Sequence, residues 1–396
     1  MPKALEGIRI LESGRYFAAP LVGTLLGDMG AEVIRYEEPG QGDPLRYGYH
    51  PLVKGIGPYF LWSARNKKSI TLDLRKKRGQ ELFKELAKIS DVVTENFRPG
   101  TLAKWGLDYE EIRKVNPGII MLSVSMYGAT GPYAQRPGRD YIAQAASGLM
   151  SVTGEPDGPA TFYGIAIVDY IAGFLNTYAV LTALHYKQKT GQGQWIDNSL
   201  LESAAFCMEH KILHFTSLGE VAWRKGARIA TPGVRTYEAK DGDVLITGGQ
   251  QRAQLLKAIG REDILSHPLF PKHSRDPLDA KFIEDYEGAV AQWVKERTTK
   301  EIEEILVAAD IEVAPVNTVA DLVSHPQYQA RNALVEVEHP TAGKLKFQGP
   351  APKLSLTPGA VEKAAPLLGE DNDYVYGKLL GLNEQERENL KAEGVI

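Results

Sequence analysis

The feature that most restricts the fold of this chain is a rhythm running from Ile8 to Ser123: short apolar runs separated by stretches with helical spacing. Ile8 to Leu11 (IRIL) is an apolar run suited to a strand buried on both faces. Ala19 to Met29 has helical spacing, with Gly30 as its stop. Ala31 to Tyr36 reads as a second strand, followed by a turn-rich loop from Glu38 to Pro44. Ser69 to Leu74 alternates like a strand. Lys76 to Ile89 is an amphipathic helix with Leu82, Phe83, Leu86 and Ile89 on one face. Asp91 to Thr94 and Ile119 to Ser123 are further strands. Strands alternating with helices predict an α/β fold with a doubly wound, mainly parallel sheet.

Beyond this, Ala166 to Tyr186 reads as a long, largely buried helix, Gln194 to Ile196 as a short strand and Ser199 to Phe215 as another helix. After Gly219 the texture changes. Tyr237 to Thr247 reads as a hairpin turning at Asp241-Gly242, with helices at about 250–260, 281–297 and 300–309 and a strand at Glu312 to Val316. The stretch 333–356 reads as another hairpin, and the tail from Asp371 as helical. The expected organisation is a large domain over 1–200, a linker over 201–224, a smaller α/β domain over 225–325, and a return to the large domain over 326–396 that completes it from residue 330. A chain of 396 residues, 43% hydrophobic, is long enough for two such cores.

Charge and cysteine content exclude several functions. Lys and Arg total 46 against 50 for Asp and Glu, a net of −4, which opposes electrostatic binding of nucleic acid. Cys207 is the only cysteine, so neither an internal disulfide nor a cysteine-rich zinc site can form, and a cytoplasmic protein is expected. The start, MPKALEGIRILESG, lacks the apolar core of a signal peptide. The most apolar segment, Gly164 to Leu184, is interrupted by Asp169, Gly173 and Asn176, so no membrane span is expected. His210 and His214 have helical zinc-ligand spacing but no third ligand, and no metal is expected. No phosphate-binding P-loop occurs. The first strand ends in Glu12-Ser13-Gly14-Arg15 rather than G-x-G-x-x-G, so Glu37 and Glu38, at the ribose-binding end of the second strand, do not make an NAD site. No G-x-S-x-G nucleophile elbow is present.

Two constellations carry chemistry. Asp169 is a lone carboxylate in GIAIVDYIAG. It is either a cap or core ion pair, or a poorly solvated nucleophile at a helix start. Glu95-Asn96-Phe97-Arg98-Pro99-Gly100 follows a predicted strand and so falls at the carboxyl edge of the sheet. Arg65, Lys67, Lys68, Arg75, Arg98 and Lys104 are either anion-binding or a solvated basic surface, with Arg75 and Arg98 favoured because they follow strands.

These residues carry a resemblance. Leu5 to Leu11 (LEGIRIL), Gly30 to Ile34 (GAEVI), Asn66 to Ile70 (NKKSI), Glu95 to Gly100 (ENFRPG) and Tyr127-Gly128 follow in order. So do Gly148-Leu149-Met150 with Thr153-Gly154, Lys189 to Gln194 (KTGQGQ), and Ala365 to Glu370 (APLLGE). In this order and spacing they resemble the class III CoA-transferases, which include formyl-CoA and carnitine CoA-transferases, nearly end to end.

The resemblance implies that Asp169 is the nucleophile of a ping-pong transfer of CoA from an acyl-CoA to a carboxylic acid. The route passes through an aspartyl anhydride and an aspartyl-CoA thioester, with helix-start amides at the oxyanion. It requires no cofactor, CoA thioester being the substrate. It also implies CoA contacts at Phe17, Ala18, Leu72, Asp73, Leu74, Arg75, Asn96, Phe97, Arg98, Lys104, Gly138, Arg139 and Asp140, with Glu38 at the end of the second strand. Glu38 replaces an arginine of the formyl-CoA transferases. Their glycine run is missing, with Thr231-Pro232-Gly233 near that region, so formate and oxalate are not the expected pair. The block around Gly148 to Gly154 is most similar to members that use succinyl-CoA and other dicarboxylates. Racemases of the superfamily need a histidine where Arg139 stands, and arginine cannot shuttle a proton at neutral pH. A racemase-like isomerase and a non-catalytic CoA-binding subunit are the alternatives. The resemblance further implies an interlocked homodimer of two open rings; Arg139 is free in this reading to pair with a substrate carboxylate.

Overall fold

The computed structural model describes residues 3–227, 233–273 and 278–396. Six parallel strands form the main sheet: β1 (Arg9–Glu12), β2 (Glu32–Glu37), β3 (Lys67–Thr71), β4 (Val92–Glu95), β5 (Ile120–Ser125) and β6 (Trp195–Ser199). Their order is β3-β2-β1-β4-β5-β6, so winding reverses direction between β1 and β4. The α/β, parallel, doubly wound reading is therefore correct. Apolar runs at β1 and β4 are continuous because both faces are covered. Ile10 faces one layer with Val22, Leu26, Val92, Val168 and Val180, while Leu11 faces the other with Leu82, Phe83, Val93, Tyr376 and Leu390.

Helix Ala18–Asp28 and the long helix Ile167–Thr190 pack together on the first face. They approach closely at Gly173, where a Cβ would stand 2.4 Å from Leu21 Cδ2. Val168, Ala172, Asn176, Val180, Ala183 and Leu184 form the buried stripe of the long helix. By length and composition alone this helix could cross a membrane, with a mean hydropathy of 1.4 over 18 residues. The helix is not largely buried as expected: one face packs against Ala18–Asp28 and β5, and 39% of that window is buried.

Buried charges lock β1, β2 and β3 together. Lys67 Nζ donates to Glu12 at 2.8 and 3.0 Å and to the Pro20 carbonyl at 2.7 Å, and Arg35 donates to Glu12 at 2.8 Å and to Asp43. Arg65 donates to Asp28 at 2.8 Å. Lys67 and Arg65 are therefore structural ion pairs rather than anion-binding groups, because a buried charge demands an internal partner. Burial draws the Lys67 ammonium down to about 8.

The chain divides into two compact units. One comprises Met1–Leu149, Tyr163–His210 and Pro326–Ile396, and the other Met150–Phe162 with Lys211–His325. The second holds β7 (Arg235–Glu238), β8 (Asp243–Ile246) and β9 (Val313–Pro315) as an antiparallel sheet, over a core of Phe282, Tyr286, Val290 and Leu306. Met150–Phe162 belongs to it because Trp223 and Arg224 donate to the Pro156, Glu155 and Gly158 carbonyls at 3.0–3.2 Å. The expected helix from Ser199 to Phe215 is two helices, Leu200–Phe206 and Lys211–Leu218, with Glu209 at φ 51 between them. His210 thus precedes the helix that carries His214, and among the described residues no three potential ligands cluster for a metal. Thr231 and Pro232 lie outside the described residues.

Candidate active site

Reversal of the winding leaves a crevice at the carboxyl ends of β1 and β4, the place where open α/β sheets bind ligands. Asn96 bridges it. Its Oδ1 accepts the Arg15 N–H at 2.8 Å and its Nδ2 donates to the Arg15 carbonyl at 2.6 Å, fixing the loop after β1 to the loop after β4. Beside this bridge lies a cleft of about 250 Å³ lined by Arg15, Tyr36, Glu38, Leu72, Asp73, Leu74, Arg75, Phe97 and Trp105. Arg75 pairs with Glu38 at 2.6 Å and Asp73 at 2.8 Å, and Arg15 reaches Glu38 at 3.2 Å. The Arg75 guanidinium holds the Asp73 carboxyl below its ordinary range. Leu72 and Leu74 are core residues, so they present backbone and side-chain edges rather than whole side chains.

Phe97 separates this cleft from a second, of about 310 Å³, lined by Glu95, Arg98, Ser123, Ser125, Trp195 and Asp197 among others. The structure therefore places Arg98 apart from Arg75. Lys104 ends the short helix Thr101–Lys104 and is exposed, lining neither cleft. Burial pushes Glu95 up to about 7, assisted by the nearby Asp197 charge and opposed by hydrogen bonds from Ser123 and the Phe97 N–H.

Asp169 stands in the first turn of Ile167–Thr190 and is half-buried. Among the described residues no cation pairs with it. Its carboxyl is pushed up to about 7, chiefly by desolvation and then by the Asp140 charge. Asp140 caps the helix: its Oδ2 accepts the Val168 N–H at 2.7 Å and the Asp169 N–H at 3.1 Å, while its Oδ1 accepts from Gln144. The Ile167 N–H goes to the Ile165 carbonyl and the Tyr170 N–H to that of Ala166. The helix-start amides expected to meet an oxyanion are thus already engaged, because a helix start seldom leaves such donors unsatisfied.

An aromatic wall stands at this helix start, where Tyr170 follows Asp169. Phe17, at the N-cap of Ala18–Asp28, packs edge-on to Tyr170 at 4.8 Å and to Tyr59 at 5.6 Å, and stacks on Trp62 at 5.6 Å. Ala18, the next residue, is buried beneath it. Tyr49 and Tyr59 lie 4.6 Å apart. Burial and the Asp169 and Asp140 charges raise Tyr59. Arg139 is exposed and lies over the Tyr16 ring at 5.0 Å. Gly138 brings this loop close to Met126, the residue after β5: a Cβ there would stand 2.4 Å from Met126 Cγ. Three consecutive residues join the regions, Arg15 lining the cleft, Tyr16 under Arg139 and Phe17 on Tyr170.

Sequence reasoning did not pick out Arg15, Tyr36, Trp105 or the tyrosines of the wall. The dense aromatics from Tyr47 to Trp62 were the available signal.

Comparisons with known proteins identify the family. Residues 5–372 match CoA-transferase family III. The chain is 36% identical to the succinyl-CoA–D-citramalate CoA-transferase of Chloroflexus aurantiacus, covering 100% of this chain and 98% of the relative. It is 35% identical to the succinyl-CoA:glutarate CoA-transferase of Mus musculus (100% and 90%) and 34% identical to a succinyl-CoA–L-malate CoA-transferase alpha subunit of Chloroflexus aurantiacus (99% and 92%). Among solved structures it is similar to a CAIB/BAIF family protein from Brucella suis, with a TM-score of 0.84 and 29% identity over 96% of this chain and 100% of that one.

Proposed function

The chain belongs to CoA-transferase family III, and from that premise we propose that it moves CoA from succinyl-CoA or a similar dicarboxylic acyl-CoA to a second dicarboxylic acid, with Asp169 as the covalent relay. The observation that carries this reading is the state of Asp169: a half-buried carboxylate with no cation paired to it among the described residues, one residue before Tyr170, on which Phe17 packs, while Arg15 of the same loop as Phe17 lines the cleft. A carboxylate short of solvation and counter-charge is a stronger nucleophile than a hydrated one.

In the proposed sequence an Asp169 oxygen attacks the thioester carbonyl and the C–S bond breaks, giving a mixed anhydride and CoA thiolate. The thiolate attacks the aspartyl carbonyl, releasing the donor acid and leaving an aspartyl-CoA thioester. The acceptor carboxylate attacks that thioester and the steps reverse, returning Asp169 as a carboxylate. CoA enters only as substrate. Its nucleotide end is assigned to the cleft at Leu72 to Arg75 and Phe97, beside the Asn96 bridge; Arg98, which lines the second cleft, and the exposed Lys104 lie outside it. Its thiol end is assigned to Phe17, Ala18 and the Gly138-Arg139-Asp140 loop.

Two copies of this chain form the proposed homodimer, interlocked as rings. Apolar side chains left exposed on Ile167–Thr190, among them Phe174 and Tyr178, support a second chain there. Relatives named as alpha and beta subunits make a two-chain assembly the second reading. Lone Cys207 and CoA substrates suit a reducing, cytoplasmic setting. The test is a half-reaction: labelled succinate should enter succinyl-CoA with no second acid present, and initial-rate lines for two substrates should be parallel. Exchange that requires both acids together would overturn the reading.

A further inference from the structure

Arg139, like Arg98, has no ion pair among the described residues, but it lies at the other end of the site. Arg15 and Arg75 share Glu38, and Arg65 is held by Asp28. Among the described residues no carboxylate lies within ion-pair distance of Arg139, although Asp140 follows it in the chain. Its guanidinium instead rests over Tyr16, a non-glycine residue held at φ 62 in the loop after β1. Strained backbone of this kind persists where surrounding structure imposes it, and it gathers at ligand sites.

Its place is the acyl end of the site rather than the nucleotide end. The carboxylate of the next residue holds the N–H of Asp169 at 3.1 Å. Tyr49 feels the Arg139 charge, Tyr59 feels that of Asp169, and the two rings are 4.6 Å apart. The contact of Gly138 with Met126 leaves this loop little room to withdraw. A guanidinium stacked on an aromatic ring keeps its N–H edge free for a planar, two-toothed contact with a carboxylate.

We propose that Arg139 is a specificity-determining residue, receiving the free carboxylate of a dicarboxylic acyl group whose other end reacts at Asp169. This rests on the transferase reading above and adds to it the residue that selects diacids over monoacids. A monocarboxylic acyl chain of equal length offers Arg139 only a methyl group, and the charge-assisted hydrogen bonds are lost.

The experiment compares kcat/KM for succinyl-CoA and butyryl-CoA as donors, which in a ping-pong enzyme reports the first half-reaction alone. It is run in the wild type, Arg139→Gln and Arg139→Lys. The succinyl-to-butyryl ratio should fall roughly 10-fold or more in Arg139→Gln, mostly through KM for succinyl-CoA, and recover in part in Arg139→Lys, which keeps the charge without the fork. A ratio unmoved by both substitutions overturns the inference and leaves the transferase reading standing. A wild type that transfers CoA from neither donor defeats that reading and this inference with it.

Discussion

In the proposed mechanism Asp169 reacts as a carboxylate, yet its surroundings favour the acid. With its carboxyl at about 7, kcat/KM should rise with pH through about 7 and then level off. Asp140→Asn keeps an oxygen to accept the Val168 and Asp169 amides but removes a negative charge, so the rise should move to lower pH, as a profile from pH 5 to 9 will show. An unmoved profile would mean that the Asp140 charge does not act on the nucleophile. Stability should run the other way. In the unfolded chain Asp169 ionises near 3.8, so between that value and about 7 the folded state binds more protons, and raising pH weakens folding. Asp169→Asn should therefore melt higher than the wild type at pH 8 and equally at pH 3 in thermal scans. Of these residues Asp169 stands out in the sequence as a lone charge in an apolar run, which left a cap or ion pair open beside the nucleophile that the resemblance implies. The capping role of Asp140 was not legible, since it acts on an amide 29 positions away that only the fold brings near. The same holds for Lys67, whose partner Glu12 lies two strands over.

At the level of elements, the strands and major helices were readable from apolar period and stop signals, since these report local packing needs. What escaped was non-local. The break at Glu209 requires a left-handed backbone at a residue type that rarely adopts one. The pairing of Met150–Phe162 with Trp223 and Arg224 joins segments far apart in sequence. The crossing of the two helices at Gly173 gives a direct test. Gly173→Val would drive a side chain into Leu21 and should destabilise by about 1–3 kcal/mol, lowering the melting temperature with little change in Asp169 chemistry per folded molecule. A melting temperature equal to the wild type would show that the crossing tolerates the added bulk.

For the whole molecule, the exposed Phe174, Tyr178 and Leu181 of the long helix are more apolar surface than a solitary helix face normally leaves in water. Sedimentation should find a dimer, and Phe174→Glu with Tyr178→Glu should weaken it. Interlocking makes a sharper demand: tagged and untagged dimers mixed under native conditions should form no hybrids until unfolded, and ready exchange would exclude linked rings. The central claim, that cargo passes through one carboxylate, is tested most directly by peptide mass mapping after brief incubation with succinyl-CoA and no acceptor. A CoA thioester is expected on the peptide containing Asp169, removed by hydroxylamine and absent from Asp169→Asn. Full turnover by Asp169→Asn, or a CoA adduct on another residue, would contradict it.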